Sequence, residues 1–155
     1  MGVYMREGFR GEGFWASKHE LYPLPTPKPN LQWLASDWQK FLSKLIVFED
    51  SIMIPYLEAC IAANEKHKEL LAQREEDRKT DPTLTYSAVP YDFPVEDRVV
   101  SFRGHSHCRL CGCANGSREF RVDGWAWPEG FRHYVECHGV EPSPDFRAFI
   151  EGQLL

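Results

Sequence analysis

Within Gly104–Ser117, GHSHCRLCGCANGS, the chain carries His105, His107, Cys108, Cys111 and Cys113. Thiolates and imidazoles at this density are metal ligands. Cys108-Arg109-Leu110-Cys111-Gly112 has the CxxCG form of a zinc knuckle, in which backbone amides point at two thiolates and the glycine lets the chain fold back closely. Farther on, FRHYVECHG places His133, Cys137 and His138 on one predicted helix. His133 and Cys137 share a face as i, i+4. His133 and His138, as i, i+5, stand about 140° apart on an ideal helix, but a last turn that tightens or unwinds beside Gly139 brings them closer. A histidine pair with four residues between lies within the spacing that zinc uses. The pattern predicts zinc held by Cys108, Cys111, His133 and His138, with Cys137 replacing His138 as the alternative. His105, His107 and Cys113 read as residues flanking a tight turn, one of them placed to hydrogen-bond a coordinated thiolate.

Four protein donors close a tetrahedral shell, and closed zinc shells hold folds together. Such a metal supplies on the order of 10 kcal/mol to folding, comparable to the ~5–15 kcal/mol stability of a whole domain. Catalysis needs an open position and a base. Glu129, four residues before His133, and Glu136 are the carboxylates at hand for a zinc-dependent hydrolase. Neither HExxH nor the deaminase HxE…PCxxC pattern is present, and there is no nucleophile elbow or Walker loop. The reading leans away from an enzyme and names no catalytic residue.

These ligands need elements to carry them. VVSFRG, residues 99–104, reads as a strand, and Glu119-Phe120-Arg121-Val122 alternates as a second. Asp123-Gly124 is a strong hairpin signal, with Trp125-Ala126-Trp127 as the returning strand. Pro128 is expected at the first position of a helix, Glu129 in its first turn and Gly139 at its C-cap. A last helix starts at Ser143-Pro144-Asp145, turning Phe146, Phe149 and Ile150 inward. Strand, knuckle, hairpin and helix in this order make a treble-clef or ββα-like module over residues 98–155.

Upstream, residues 1–30 are rich in glycine, aromatics and proline. Phe9, Phe14 and Trp15 are expected to tuck onto the core, and Pro23–Pro29 to form a stiff extended connector with a loose PxxP match. Residues 31–81 are the helical part. Ser36 to Gln39 has the form of a capping box, opening an amphipathic helix over about 37–50. Pro55 is expected to break the pattern, and a second helix follows over about 55–79. Its apolar side is Leu57, Cys60, Ile61, Leu70 and Leu71, with Cys60 buried and His67 facing water. Its charged latter half reads as a solvated, projecting end. Residues 82–97 are a proline-rich loop. The fold class is therefore α+β: an N-terminal helical part and a C-terminal zinc module.

With 43% hydrophobic and 14% aromatic residues in 155, the chain has enough apolar mass for a core. No run is long enough for a membrane helix, and the first residues lack a secretory pattern. Four of the five cysteines cluster between Cys108 and Cys137, unlike a disulfide framework. Together these point to a cytoplasmic protein without a membrane partner. A net charge of −5 argues against coating nucleic acid. Six arginines between Arg98 and Arg132 nonetheless keep a nucleic-acid contact open, with Trp125, Trp127 and Tyr134 as stacking surfaces.

The stretches SHCRLCGCANGSREF and WAWPEGFRHYVECHGVEPSPDF resemble a family of small, largely uncharacterised bacterial and phage proteins. Its C-terminal signature runs CRxCG, NGSxE, then WPEGxxHYVxxHxVxP. The resemblance covers roughly residues 103–150. It places the metal-type positions on Cys108, Cys111, His133 and His138, and leaves His107, Cys113 and Cys137 outside the pattern. The charged helix around 57–79 finds no counterpart, and no activity is carried over. The family setting implies an inhibitor or accessory subunit. The resulting expectation is a zinc-stabilised module that binds another protein, with a nucleic-acid-binding zinc finger and a zinc-dependent hydrolase as alternatives.

Overall fold

The computed structural model of the chain describes residues 4–6, 8–15, 25–34, 36–85, 88–89, 91–92 and 94–154. It divides into two compact units, Met1–Ile52 with Asp97–Leu155, and Met53–Glu96. In the first unit the strands are β1 (Tyr4–Arg6), β2 (Phe9–Gly11), β3 (Val99–Ser101), β4 (Arg118–Val122) and β5 (Trp125–Pro128). The helices of the chain are α1 (Leu31–Leu34), α2 (Trp38–Thr80), α3 (Phe131–His138) and α4 (Pro144–Glu151). The mixture of helix and sheet matches the α+β expectation.

The strands form one sheet in the order β1-β2-β5-β4-β3. β4 and β5 are joined by the expected Asp-Gly turn. Asp123 at φ 47° and Gly124 at φ 79° supply the two positive φ values of a type I′ turn, whose twist matches that of the strands. Trp125 therefore pairs with Val122, and Pro128 with Glu119. β2 lies parallel to β5, with Arg10 opposite Trp125. The N-terminal segment, expected as a separate stretch over residues 1–30, thus completes the sheet of the C-terminal module. Residues 16–24, and with them Pro23 and Leu24 of the PxxP match, lie outside the described residues. Of the remaining proline segment, Pro29 pairs with Val140 just beyond α3.

The core of this unit is aromatic. The indole of Trp127 is fully buried, stacked at 5.2 Å on Phe120 and at 6.1 Å on Phe48, with Phe146 edge-on at 5.3 Å. Offset and edge-to-face pairs of this kind add about 0.5–1.5 kcal/mol each beyond area burial. The single polar atom of that indole, Nε1, donates to Glu49 Oε1 at 2.9 Å. α4 begins as expected, with the Ser143 hydroxyl accepting from the Phe146 amide, and it buries Phe146 and Ile150.

Three local expectations change. The Ser36 hydroxyl, expected to cap a helix, donates to the Trp33 carbonyl at 2.6 Å, and the amides of Lys40 and Phe41 turn to the Asp37 carbonyl. Pro55 does not divide the helix, since α2 is continuous through it. Pro55 has no N–H to give the Ser51 carbonyl, and the burial of Phe41, Leu45, Phe48 and Ile52 just before it anchors the helical path. Pro128, expected to open α3, ends β5 instead, and α3 starts after Gly130.

In the second unit the helix is mostly exposed, Ile61, Leu70 and Leu71 included, while Leu57 and Cys60 are half-buried. His67 does not stand free in water. Its ring meets Tyr91 edge-on at 5.2 Å, and Lys66 reaches Asp92 at 4.0 Å. Around these contacts, the described residues from 81 to 96 form turns and irregular chain.

Candidate metal centre

The Gly104–Ser117 segment is the prolonged tip of the β3–β4 hairpin. Beyond the strands, its pairing continues from Phe102 N–H to the Ser117 carbonyl (2.9 Å) and from Ser106 N–H to that of Gly116 (2.9 Å). A bridge between His107 and Ala114 follows, then the Cys108 amide to the Cys113 carbonyl (2.9 Å). At the tip the chain reverses, with Gly112 N–H returning to the Cys108 carbonyl at 2.9 Å. Gly112 sits at φ 74°, a conformation that a side chain at this position would strain. The amides do point at sulfur: Leu110 N–H faces Cys108 Sγ at 3.4 Å, and the Cys113 amide bonds the Cys111 sulfur.

α3 supplies the two histidines, and its C-terminus explains how residues five apart meet. The amides of Gly139 and Val140 both converge on the Tyr134 carbonyl, the second at 3.1 Å. An i→i−5 bond widens the last turn beyond α-helical geometry, and Gly139 closes it in the left-handed conformation at φ 59°. The Nε2 atoms of His133 and His138 come within 3.2 Å of each other.

Cys108, Cys111, His133 and His138 thus meet, all four donor atoms within 4.8 Å of one another. Cys108 Sγ is 3.3 Å from His138 Nε2, and Cys111 Sγ is 3.3 Å from His133 Nε2. In a tetrahedral zinc shell with Zn–S of about 2.3 Å and Zn–N of about 2.0 Å, neighbouring S and N stand ~3.5 Å apart and two N atoms ~3.3 Å. The distances fit those edges, and two thiolates with two imidazoles are a donor set that suits zinc. Cys137, the alternative ligand, is exposed and lies outside this group.

The surroundings of Cys111 favour thiolate. The Cys113 amide and then the Cys113 thiol, 3.2 Å away, hold the Cys111 thiol down at about 5. The Cys113 thiol, sharing its proton with that sulfur, is pushed up to about 11. Cys113 is therefore the flanking residue that hydrogen-bonds a thiolate, and it also lies 3.4 Å from His133 Nε2. His105 and His107 are exposed. Tyr134 was not legible as part of the site. Its hydroxyl accepts from the Arg109 amide at 2.6 Å, and its buried ring packs with Cys108 and Val140, with Trp15 against it. Burial pushes its hydroxyl up to about 12.

The carboxylates considered as catalytic bases are placed otherwise. Glu129 is not in the first turn of α3. Its carboxylate accepts from the amides of Ser117 (3.1 Å) and Arg118 (3.2 Å) and pairs with the Arg118 guanidinium at 3.4 Å. It ties the hairpin to the loop before α3. Glu136 is exposed. The stacking surfaces expected for nucleic acid are also spent. Trp125 and Trp127, 6% and 0% exposed, offer no face to a base, and Tyr134 is 3% exposed. Of the six arginines, Arg118 pairs with Glu129, Arg121 with Glu119 at 2.8 Å and Arg132 with Asp50 at 3.5 Å.

No helix among the described residues is long and apolar enough to cross a membrane. Comparison with protein-family models, with curated proteins and with solved structures returns no match to this chain.

Proposed function

We infer that this chain binds one zinc ion through Cys108, Cys111, His133 and His138, and that the metal stabilises a module whose work is to bind another protein. The observation that carries the reading is the convergence of four protein donors from two elements on one point. A shell filled by protein leaves no position for water or substrate, and both nearby carboxylates have other places. Protein binding is favoured over nucleic-acid binding because the aromatic side chains are buried and three of the six arginines are neutralised within the fold. The net charge of −5 acts in the same direction. The likeness of residues 103–150 to the bacterial and phage family rests on the same ligand positions, and an inhibitor or accessory subunit in such a setting is consistent with this reading.

Zinc K-edge absorption on the purified protein, with metal content determined on the same sample, tests the assignment. One zinc with two sulfur and two nitrogen neighbours is expected. A third sulfur would bring in Cys113, and an oxygen in place of a protein donor would overturn the structural role and return the hydrolase reading. Binding to a captured protein partner should persist at raised salt, whereas a phosphate-driven contact would collapse.

A further inference from the structure

Beside the metal cluster lies an open cavity of about 180 Å³ whose chemistry the zinc shell does not use. Its walls include Phe14, Trp15, Pro128 and Tyr134, with Arg109 and Asn115 among the polar residues. Three features distinguish it from an ordinary surface dent. The indole Nε1 of Trp15 is buried and finds no acceptor. Asn115, 8% exposed, has its backbone amide and carbonyl paired with Ser106, and it lines the cavity. Buried polar groups are nearly always paired, so the open indole N–H asks for an acceptor. Finally, among the described residues no aspartate or glutamate lines the cavity, although the chain as a whole carries −5. The exposed Arg109, which spends one N–H on the His107 carbonyl at 3.0 Å, is the one formal charge among the described lining residues.

A cavity of this size holds a single ring, since one of ~150 Å³ accommodates benzene. Aromatic walls, an indole donor, a primary amide and a guanidinium together select a ring joined to an anionic acceptor. We propose that this cavity is the contact point for the protein partner, receiving an aromatic side chain with a carboxylate next to it. This rests on the reading of the chain as a protein-binding module. It also gives the zinc a second consequence: Cys108 fixes the neighbouring Arg109, whose amide is held by Tyr134, so the metal sets two walls of the cavity.

The test uses the zinc-loaded full chain and 15N-resolved NMR titration with phenylacetate, benzylamine, adenosine monophosphate, and the blocked peptides acetyl-Gly-Phe-Glu-Gly-amide and acetyl-Gly-Phe-Lys-Gly-amide. Phenylacetate should shift the Trp15 indole and Asn115 amide signals saturably, with a Kd on the order of 1 mM for a ligand this small. Benzylamine and the lysine peptide should bind at least about tenfold more weakly than their acidic counterparts, the sign expected of a lone guanidinium. Arg109→Ala should weaken phenylacetate about tenfold, and Trp15→Phe, which keeps a ring but loses the N–H, severalfold. Zinc content is measured on each variant, so that loss of the cavity with the metal is told apart from loss of the contact. Equal binding of benzylamine, or an unaffected Arg109→Ala, would overturn the proposal. Tighter binding of the nucleotide at the same signals would overturn it in favour of nucleic acid. Phenylacetate binding without the glutamate peptide would reduce it to a small-molecule site. A zinc-loaded protein that ignores every probe would refute the cavity and leave the zinc-stabilised binding module standing.

Discussion

Glu49 offers a sharp test of the fold that holds the site. Its carboxylate is sealed in the aromatic core, one oxygen accepting from Trp127 Nε1 at 2.9 Å and the other 4.0 Å from Arg132 Nε. Burial pushes its carboxyl from the ordinary 4.5 up to about 8, the Trp127 hydrogen bond and Arg132 pulling back against it. The folded chain therefore keeps a proton that the unfolded chain releases between these two values. This contribution to stability is complete below pH 4.5 and disappears as pH rises through about 8. The slope within the window is about 1.4 kcal/mol per pH unit, so between pH 5 and pH 8 the loss approaches ~4 kcal/mol as a ceiling. Glu49→Gln keeps the acceptor for Trp127 and removes the charge. Zinc binding has its own pH dependence, through the thiolates, but it is common to both proteins and cancels in their difference. Urea unfolding at pH 5, 6.5 and 8 should find the two proteins within about 1 kcal/mol at the lowest pH, with the variant more stable by ~2–4 kcal/mol at the highest. Parallel curves, or a variant that loses ground as pH rises, would refute the argument that Glu49 is held neutral.

Chelation of zinc should remove on the order of 10 kcal/mol of folding free energy, and near-UV circular dichroism should report the loss of the tryptophan environment. An unchanged spectrum in metal-free protein would show that the aromatic core stands without it. Gly130→Ala would set a Cβ 2.3 Å from the Asn115 side chain and backbone, so thermal unfolding should register a loss of ~1–3 kcal/mol. Glu129→Ala leaves the buried ends of two backbone donors, those of Ser117 and Arg118, without their carboxylate. Denaturant unfolding should find it weaker by ~1–3 kcal/mol with the zinc-edge spectrum of the folded protein unchanged, as befits a tie rather than a catalytic base.

The sequence alone was enough for whatever depends on near neighbours. The CxxCG turn, the Asp-Gly hairpin, the Gly139 cap and the Ser143 cap each turn on φ preference or a side chain reaching its own backbone, and the structure has all four. The four residues that converge were also legible, because ligand spacing is a local property of a turn and a helix. What sequence could not show was competition between distant groups. Pro128 and Glu129 have the chemistry of a helix start, yet the ladder opposite Glu119 and the open amides of Ser117 and Arg118 claim them first. Pro55 signals a break, but the helix, anchored by buried residues just before it, continues through the missing hydrogen bond. The strand at Phe9–Gly11 finds its partner more than a hundred residues away, and Trp15, a few residues on, packs against Tyr134 beside the Cys/His cluster. Local conformation is set by each residue's own sterics and hydrogen-bonding groups. Which of two locally acceptable partners a group takes is decided by burial, and burial exists only once the chain has closed on itself.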